Sequence, residues 1–280
     1  MTPFYHGWDT EHWTCIVGCD HGERFGCLPR CWAAQCVAHW GDTWGIGRDF
    51  HPRLVEKWLN KPLSWRKPQV VAAGFMGDIA CLWRGDISAI LKVIRSTPQH
   101  TYLLLTKDPL RFNEKLFDQQ DEIPPNAIMM ATVRNQEDAD RVIPALLRIP
   151  AARFGLSLEP LLSSLDLDAA FKCVGLDGGS LRRMVSWVVV GAESGRGARW
   201  GQCTMPGHGV CECHPYNTAA GEMPVHIWTR ALVAQCREAN VPVMVKQLPV
   251  FHDGKWAVSS ALADFPPDLQ VAERPEGSKK

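Results

Sequence analysis

The sequence lacks any apolar run long enough to span a membrane. Each apolar stretch is shorter than the roughly 18 residues that a transmembrane helix requires. Residues 1–15 are polar and aromatic, without the apolar core of a signal peptide. We therefore expect a cytoplasmic protein with no membrane partner. In that reducing compartment its 11 cysteines are expected to bind metal or to act in catalysis, because disulfides do not persist there.

The sequence also lacks a surplus of positive charge. Its 30 lysines and arginines equal its 30 aspartates and glutamates, so the formal net charge is zero. This balance argues against a protein that grips a nucleic-acid backbone mainly by electrostatics, although a local basic groove is compatible with it. The G-x-S-x-G and H-E-x-x-H motifs are absent, as are the P-loop and dinucleotide-binding patterns. The sequence therefore gives no standard signature of a serine hydrolase, a zinc protease or a nucleotide-binding enzyme.

Short apolar runs alternate with amphipathic stretches along most of the chain. The runs occupy residues 14–17, 69–75, 101–105, 128–133, 153–158, 187–190 and 241–245. Their near-continuous hydrophobicity is typical of parallel strands covered by helices. Apolar residues at helical spacing predict helices over residues 86–95, 135–147 and 226–238. Asp86 is the expected N-cap of the first of them. The alternation indicates an α/β fold, either a parallel barrel, full or partial, or a doubly wound sheet.

Polar residues follow the predicted strands at the end where such folds place their chemistry. Four of them are candidate catalytic residues: Asp78, Lys107, Glu159 and Lys246. Glu193 and Ser194 follow the sixth predicted strand in the same way. The acids suit a general base or a ribose ligand, and the lysines suit a carboxylate or phosphate. Each acid is equally compatible with a helix cap or an ion pair with lysine, but their recurrence at one end favours a lined pocket.

Five cysteines lie close together near the N-terminus: Cys15, Cys19, Cys27, Cys31 and Cys36. Thiolates are soft ligands that bind zinc or iron–sulfur clusters. The unequal spacing of Cys19, Cys27 and Cys31 suits a [4Fe–4S] cluster with one iron left open for a cofactor such as S-adenosylmethionine (SAM). The alternative is a zinc-stabilised loop in which His21 or one of the two outer cysteines is the fourth ligand. The outer two fall within strand and helix patterns, so we expect them to be packed thiols.

A second group of metal ligands lies in an insertion at about residues 200–224, which has no clear periodicity. Its members are Cys203, Cys211, Cys213 and His214. Together they suit a structural zinc site or a second iron–sulfur site, which would keep an insert without a core folded. The alternative is a flexible lid with unbound thiols. Residues 266–280 are charged and rich in proline, and we expect them to be disordered.

Across residues 12–250 the sequence resembles a phage and bacterial family with a three-cysteine motif that is related to radical SAM enzymes. Besides the cysteines, the landmarks are residues 51–68, 98–112, 131–147, 157–162, 187–199 and 235–247. The chain departs from the family pattern at two points. Three residues instead of two separate Cys27 from Cys31, and Arg134 replaces a common acid. The resemblance implies a partial TIM-like parallel (β/α) barrel of the radical SAM type, forming one domain over residues 1–265.

The resemblance also implies a cofactor, a set of ligands and a substrate. The [4Fe–4S] cluster would bind Cys19, Cys27 and Cys31, and flavodoxin or ferredoxin would reduce it. The residues expected to hold SAM are Trp32, Ser157, Glu159, Glu193 and Ser194. The expected substrate is a modified thymidine in phage DNA, with a glycine-bearing base that the enzyme rearranges, and the protein would then work in the host cytoplasm. Two alternatives are a radical SAM enzyme for a peptide or small metabolite, and a non-catalytic zinc-binding nucleic-acid module.

Overall fold

The computed structural model describes residues 10–22, 24, 25, 27, 31–116, 122–172, 184–194, 198–200, 223–253 and 255–275. The chain divides into two compact units. The first comprises Met1–Thr132, Ala145–Gly155 and Gly277–Lys280, and the second comprises Val133–Pro144 and Leu156–Glu276. Both units contain strands and helices, which confirms the predicted mixed α/β class. Within the described ranges, no helix is both long and apolar enough to cross a membrane.

The first unit contains seven strands and four helices in its described part. In chain order these are β1 (Thr10–Trp13), β2 (Ile16–Gly18), α1 (Trp32–Trp40), β3 (Arg53–Leu54), α2 (Glu56–Leu59), β4 (Val70–Ala73), β5 (Met76–Gly77), α3 (Arg84–Arg95), β6 (Thr101–Thr106), α4 (Pro109–Asn113) and β7 (Ala127–Thr132). Strands β1, β4, β6 and β7 pair in parallel in that order. Every residue of β4 and β7 is buried, as expected of parallel strands covered on both faces. A smaller sheet places β2 between β3 and β5.

The structure differs from the sequence prediction at the first strand. Of the apolar run at residues 14–17, only Ile16 and Val17 lie in a strand, because β1 ends at Trp13 and β2 begins at Ile16 in the other sheet. The backbone between them is diverted: the Val55 N–H donates a hydrogen bond to the Cys15 carbonyl, at 2.8 Å. The start of α3 also differs, since Trp83 is its N-cap and Asp86 lies in its first turn.

The remaining elements lie in the second unit, apart from four residues. They are α5 (Gln136–Leu146), β8 (Phe154–Leu158), α6 (Leu167–Lys172), β9 (Val185–Gly191), α7 (Pro224–Glu238), β10 (Val243–His252) and β11 (Lys255–Ser259). Ala145–Leu146 at the end of α5 and Phe154–Gly155 at the start of β8 belong to the first unit. Strands β8, β9, β10 and β11 are neighbours in that order, β9 and β10 running parallel and β10 and β11 antiparallel. Helix α7 packs on β9 and β10 through a buried face that includes Val225, Leu232 and Val233. The predicted strands and helices of this unit are thus present.

The structure also differs from the predicted disorder of the tail over residues 266–275. Leu269 is fully buried, and the Glu273 N–H donates to the Val243 carbonyl at 3.0 Å. The Glu273 carbonyl accepts a further hydrogen bond, also 3.0 Å long, from the indole of the buried Trp187. Charge and proline content predict disorder only where no apolar side chain is buried in a core, and here Leu269 and Val271 are buried.

Gly18 provides a test of the turn that leads from β2 into residues 19–31, the cysteine segment, which contains the three predicted cluster cysteines. Its φ is +82°, and a Cβ at this position would lie 2.2 Å from the His51 carbonyl oxygen. Gly18→Ala should therefore lower the free energy of unfolding by at least about 1 kcal/mol, through strain and steric overlap. Gly85→Ala is the matched control, because a Cβ there meets nothing within 4 Å. Urea denaturation of both variants measures the effect, and equal midpoints would contradict the strain argument.

Candidate functional site

Asp78 lies directly after β5 with its carboxylate buried and extensively hydrogen-bonded. Oδ1 accepts from the Thr106 hydroxyl at 2.6 Å and from the Ala80 N–H at 2.9 Å, and Oδ2 accepts from the Lys107 N–H at 2.7 Å. The Nε2 atom of His21 is 3.3 Å from Oδ2. Burial alone would raise the pKa of Asp78, but the interactions with His21, Thr106 and Lys107 outweigh burial and hold it below its usual range. Asp78 is therefore an anion that binds donors from several separate segments of the chain. Its predicted catalytic role stays a prediction.

The three predicted cluster cysteines are partly buried free thiols of the first unit. Cys19 follows β2 and Cys31 immediately precedes α1. Burial raises the pKa of Cys19 to about 11; the nearby charges of Asp78 and Cys31 add to this, whereas the His21 N–H and Lys107 oppose it. Because Cys31, Asp78 and Lys107 each act electrostatically on the Cys19 thiol, all three lie near it. The Cys27 Sγ lies 3.8 Å from the Phe25 carbonyl oxygen.

The outer cysteines behave as packed thiols. Cys15 is fully buried, and burial raises the pKa of its thiol well above the usual range. Cys36 is half-buried and packs against the cluster that contains Val37 and Met76. Both placements are those expected of packed thiols.

Sequence reasoning missed three residues that surround His21, namely Asp20, Cys81 and Arg111. The Cys81 thiol donates to Asp20 Oδ1 at 3.2 Å and lies 3.3 Å from His21 Nε2. Arg111 donates to the same Asp20 oxygen at 2.6 Å, and this hydrogen bond lowers the pKa of Asp20 to about 2. The available signal was the spacing of Cys81, three residues after Asp78 and thus one 3-10 turn away.

Ion pairs join the cysteine segment to α4. Arg24 donates to Asp108 Oδ2 at 2.6 Å, and Asp108 also caps α4 by accepting from the Arg111 N–H. The Arg111–Asp20 pair makes a second connection. Trp32, a predicted SAM ligand, begins α1 directly after Cys31 and has 60% of its surface exposed, so its ring is open to a flat ligand.

In the second unit, Glu159, Ser157 and Lys246 lie together. Lys246 Nζ lies 3.1 Å from Glu159 Oε1 and 3.3 Å from Oε2, and the Ser157 hydroxyl is 3.5 Å from Oε2. Gly191 makes room for the carboxylate, because a Cβ there would lie 2.4 Å from Glu159 Oε1. That oxygen is buried and, among the described residues, receives no hydrogen bond of good geometry. Glu159 Oε1 is therefore an acceptor suited to a ligand that donates a hydrogen bond.

Glu193, another predicted SAM ligand, is already paired. The Arg199 guanidinium donates to both of its oxygens, at 2.9 and 2.6 Å, and the Arg199 N–H donates to one of them at 2.8 Å. Ser194 follows as an exposed residue. Glu193 therefore presents an ion pair, not a free carboxylate.

Arg134, which stands where the resembled family has an acid, pairs with Asp138 at the start of α5.

The second predicted metal site lies outside the described residues. Its ligands are Cys203, Cys211, Cys213 and His214. That prediction is neither confirmed nor contradicted.

Comparison with known proteins gives one family. The model of a family described as "Protein of unknown function (DUF5131)" matches residues 6–204. No curated protein matches the chain significantly, and no solved structure does. The match includes the three cluster cysteines and the residues that surround Asp78.

Asp78 should make stability depend on pH. Because its folded pKa lies below the unfolded value of about 3.9, its contribution is full above that value and is lost as the pH falls through the folded pKa. Asp78→Asn should therefore lower the free energy of unfolding by about 1–3 kcal/mol at neutral pH. The difference from wild type should shrink at about pH 3. Urea unfolding across this range tests it, with the exposed Asp42→Asn as control; a difference that does not change with pH would refute the assignment.

The Glu159–Lys246 pair should show strong coupling. Lys246→Met leaves a largely buried carboxylate without its cation and should cost about 3 kcal/mol. The double variant Glu159→Gln/Lys246→Met should lose less, since no uncompensated charge remains. Lys172→Met, at an exposed residue of α6, is the control. Additive losses in a double-mutant cycle would show that the two side chains do not interact.

Proposed function

Because this chain belongs to the DUF5131 family of proteins of unknown function, its activity has to be inferred from its own residues, and we propose that it is a radical SAM enzyme. The observation that carries the proposal is the group of three free, partly buried thiols, Cys19, Cys27 and Cys31, between β2 and α1. Their number and softness fit a [4Fe–4S] cluster with one open iron. The finer fold assignment, a partial TIM-like barrel of the radical SAM type, belongs to the same proposal. The parallel order β1-β4-β6-β7 supports it.

The surroundings of the thiols suit a metal-dependent loop. Cys19 stays protonated without metal because burial raises the pKa of its thiol. Metal binding would displace that proton, so that affinity for the cluster falls at low pH. Lys107 lies near Cys19, and its positive charge offsets part of the negative charge that three thiolates bring. Asp78, in turn, orients the Lys107 backbone and His21.

Each unit contains residues that the resemblance implies as SAM ligands: Trp32 in the first, and Ser157, Glu159, Glu193 and Ser194 in the second. When bound, the cluster would supply an electron, received from reduced flavodoxin or ferredoxin, for the reductive cleavage of SAM. Trp32 offers an exposed ring for stacking on the adenine. Glu159 offers a buried acceptor for an amino or ribose hydroxyl donor. Ser157 and Ser194 add hydroxyl groups, and Glu193 contributes as its pair with Arg199.

The proposed substrate is a nucleic-acid base, specifically a glycine-bearing thymidine in DNA, and the reaction is its rearrangement. This rests on the resemblance to the phage and bacterial three-cysteine family. A peptide or small metabolite is the competing substrate class, and the zero net charge of the chain favours it. A cluster of reduced thiols also requires a reducing compartment, so we place the enzyme in the cytoplasm.

Cleavage of SAM tests the proposal. Anaerobically reconstituted protein, given dithionite and SAM, should release 5′-deoxyadenosine, measured by liquid chromatography and mass spectrometry. Cys27→Ala should reduce the release to background, because a cluster ligand is lost. Cys236→Ala, at a buried thiol of α7, is the matched control and should retain the activity.

The substrate class is decided in the same assay. Single-stranded DNA carrying the modified thymidine, unmodified DNA and a mixture of peptides are compared for product formation. Turnover of the modified DNA supports the proposed substrate. Turnover of peptides alone would show that the substrate is a peptide and not a nucleic-acid base. Protein that holds about four irons but never cleaves SAM would overturn the proposed function.

A further inference from the structure

Three side chains of different chemistry converge beside the cysteine segment, at atoms that commonly bind metals. The Sγ of Cys81 lies 3.2 Å from Asp20 Oδ1 and 3.3 Å from His21 Nε2. The ligand atoms of all three residues lie within 4.8 Å of one another. In a tetrahedral zinc site, bonds of about 2.0–2.3 Å place neighbouring ligand atoms roughly 3.5 Å apart. The two pairs that involve the Cys81 sulfur are therefore already near the spacing of such a site.

We infer that Asp20, His21 and Cys81 form a binding site for one borderline-soft divalent cation of the zinc class, separate from the three cluster cysteines. One thiolate, one imidazole and one carboxylate are the ligands that zinc and cobalt accept, whereas magnesium and calcium prefer oxygen alone. His21 and Cys81 are both buried, at 2% and 9% exposure, and Asp20 is half-exposed, which gives an ion a route of entry. The site does not depend on the proposed radical SAM activity.

The charges around the site suit a bound cation. Besides the ligands, the Asp78 carboxylate lies 3.3 Å from His21 Nε2, and Arg111 lies 2.6 Å from Asp20 Oδ1. A divalent ion, the Cys81 thiolate, two carboxylates and one guanidinium sum to zero. Arg111 also lies 3.8 Å from the Cys81 sulfur, so it can stay as an outer hydrogen-bond donor to both ligands. Lys115 donates a hydrogen bond to the Leu82 carbonyl, at 2.5 Å.

The same three residues also have the composition of a cysteine–histidine–aspartate nucleophile, but their setting opposes that reading. Burial raises the pKa of the Cys81 thiol, and the charges of Asp78 and Asp20 raise it further. A nucleophilic cysteine needs the opposite, an electropositive and accessible environment. A cation, by contrast, removes the thiol proton itself. The bound ion would join the start of the cysteine segment to the 3-10 turn Ile79–Cys81.

Cobalt binding tests the site independently of the cluster. The full-length variant Cys19→Ser/Cys27→Ser/Cys31→Ser, made metal-free with a chelator, is titrated anaerobically with Co²⁺ and followed by near-ultraviolet absorption. Thiolate-to-cobalt charge transfer should appear although the cluster ligands are gone. Adding Cys81→Ser should lower the stoichiometry by one equivalent and remove the corresponding band. Adding Cys236→Ser instead should change neither.

A second variant protects the test against misfolding. His21→Gln in the otherwise unaltered chain keeps Cys81 and should weaken Zn²⁺ binding at this site at least about tenfold, as measured by competition with a chromophoric chelator. Circular dichroism checks that each variant is folded. Equal cobalt stoichiometry and spectra with and without Cys81, or unchanged zinc affinity in His21→Gln, would overturn the site. Neither result bears on SAM cleavage, so failure here is distinguishable from failure of the proposed function.

Discussion

The buried carboxylate of Asp78 connects the elements that carry the chemistry of the first unit. It accepts hydrogen bonds from the turn that follows β5, from the last residue of β6 and from the backbone of Lys107. It also lies against His21, two residues after the first cluster cysteine. Burying an anion is costly unless hydrogen-bond donors replace the water that it loses. Displacement of any one of these segments would therefore leave the Asp78 carboxylate short of a donor. The placement of Cys19 therefore depends on a residue distant from it in sequence.

This arrangement has a consequence for metal binding. Burial raises the pKa of the Cys19 thiol beside the Asp78 anion, so without metal Cys19 holds neutral sulfur near a fixed negative charge. A cluster at the three cysteines and a divalent ion at Asp20, His21 and Cys81 would each replace protons with metal charge. Because Asp20 and His21 directly follow Cys19, occupation of one site is expected to favour metal binding at the other. Folding, metal loading and activity would then be coupled.

Much of the fold follows from sequence periodicity, and less of the site does. The runs of β4, β6 and β7 are mostly apolar and buried, which is typical of a parallel sheet covered on both faces, so the α/β class was predictable. The break between β1 and β2 is accompanied by a tertiary hydrogen bond from Val55 to Cys15, which has no local signal. Likewise, the pairing of Glu193 with Arg199, and of Cys81 with Asp20 and His21, depends on side-chain approach that spacing does not report. Asp78 was found from its position after a strand, but its anchoring role needed the structure.

Metal analysis of anaerobically purified protein is the decisive measurement, because the proposed [4Fe–4S] cluster requires iron bound by Cys19, Cys27 and Cys31. Iron and acid-labile sulfide are determined together with the electron paramagnetic resonance spectrum of the reduced protein, with and without SAM. The account predicts about four irons and four sulfides per chain, a spectrum that changes when SAM is added, and loss of both in Cys27→Ala. Protein without iron, or iron retained at the wild-type level in Cys27→Ala, would contradict it.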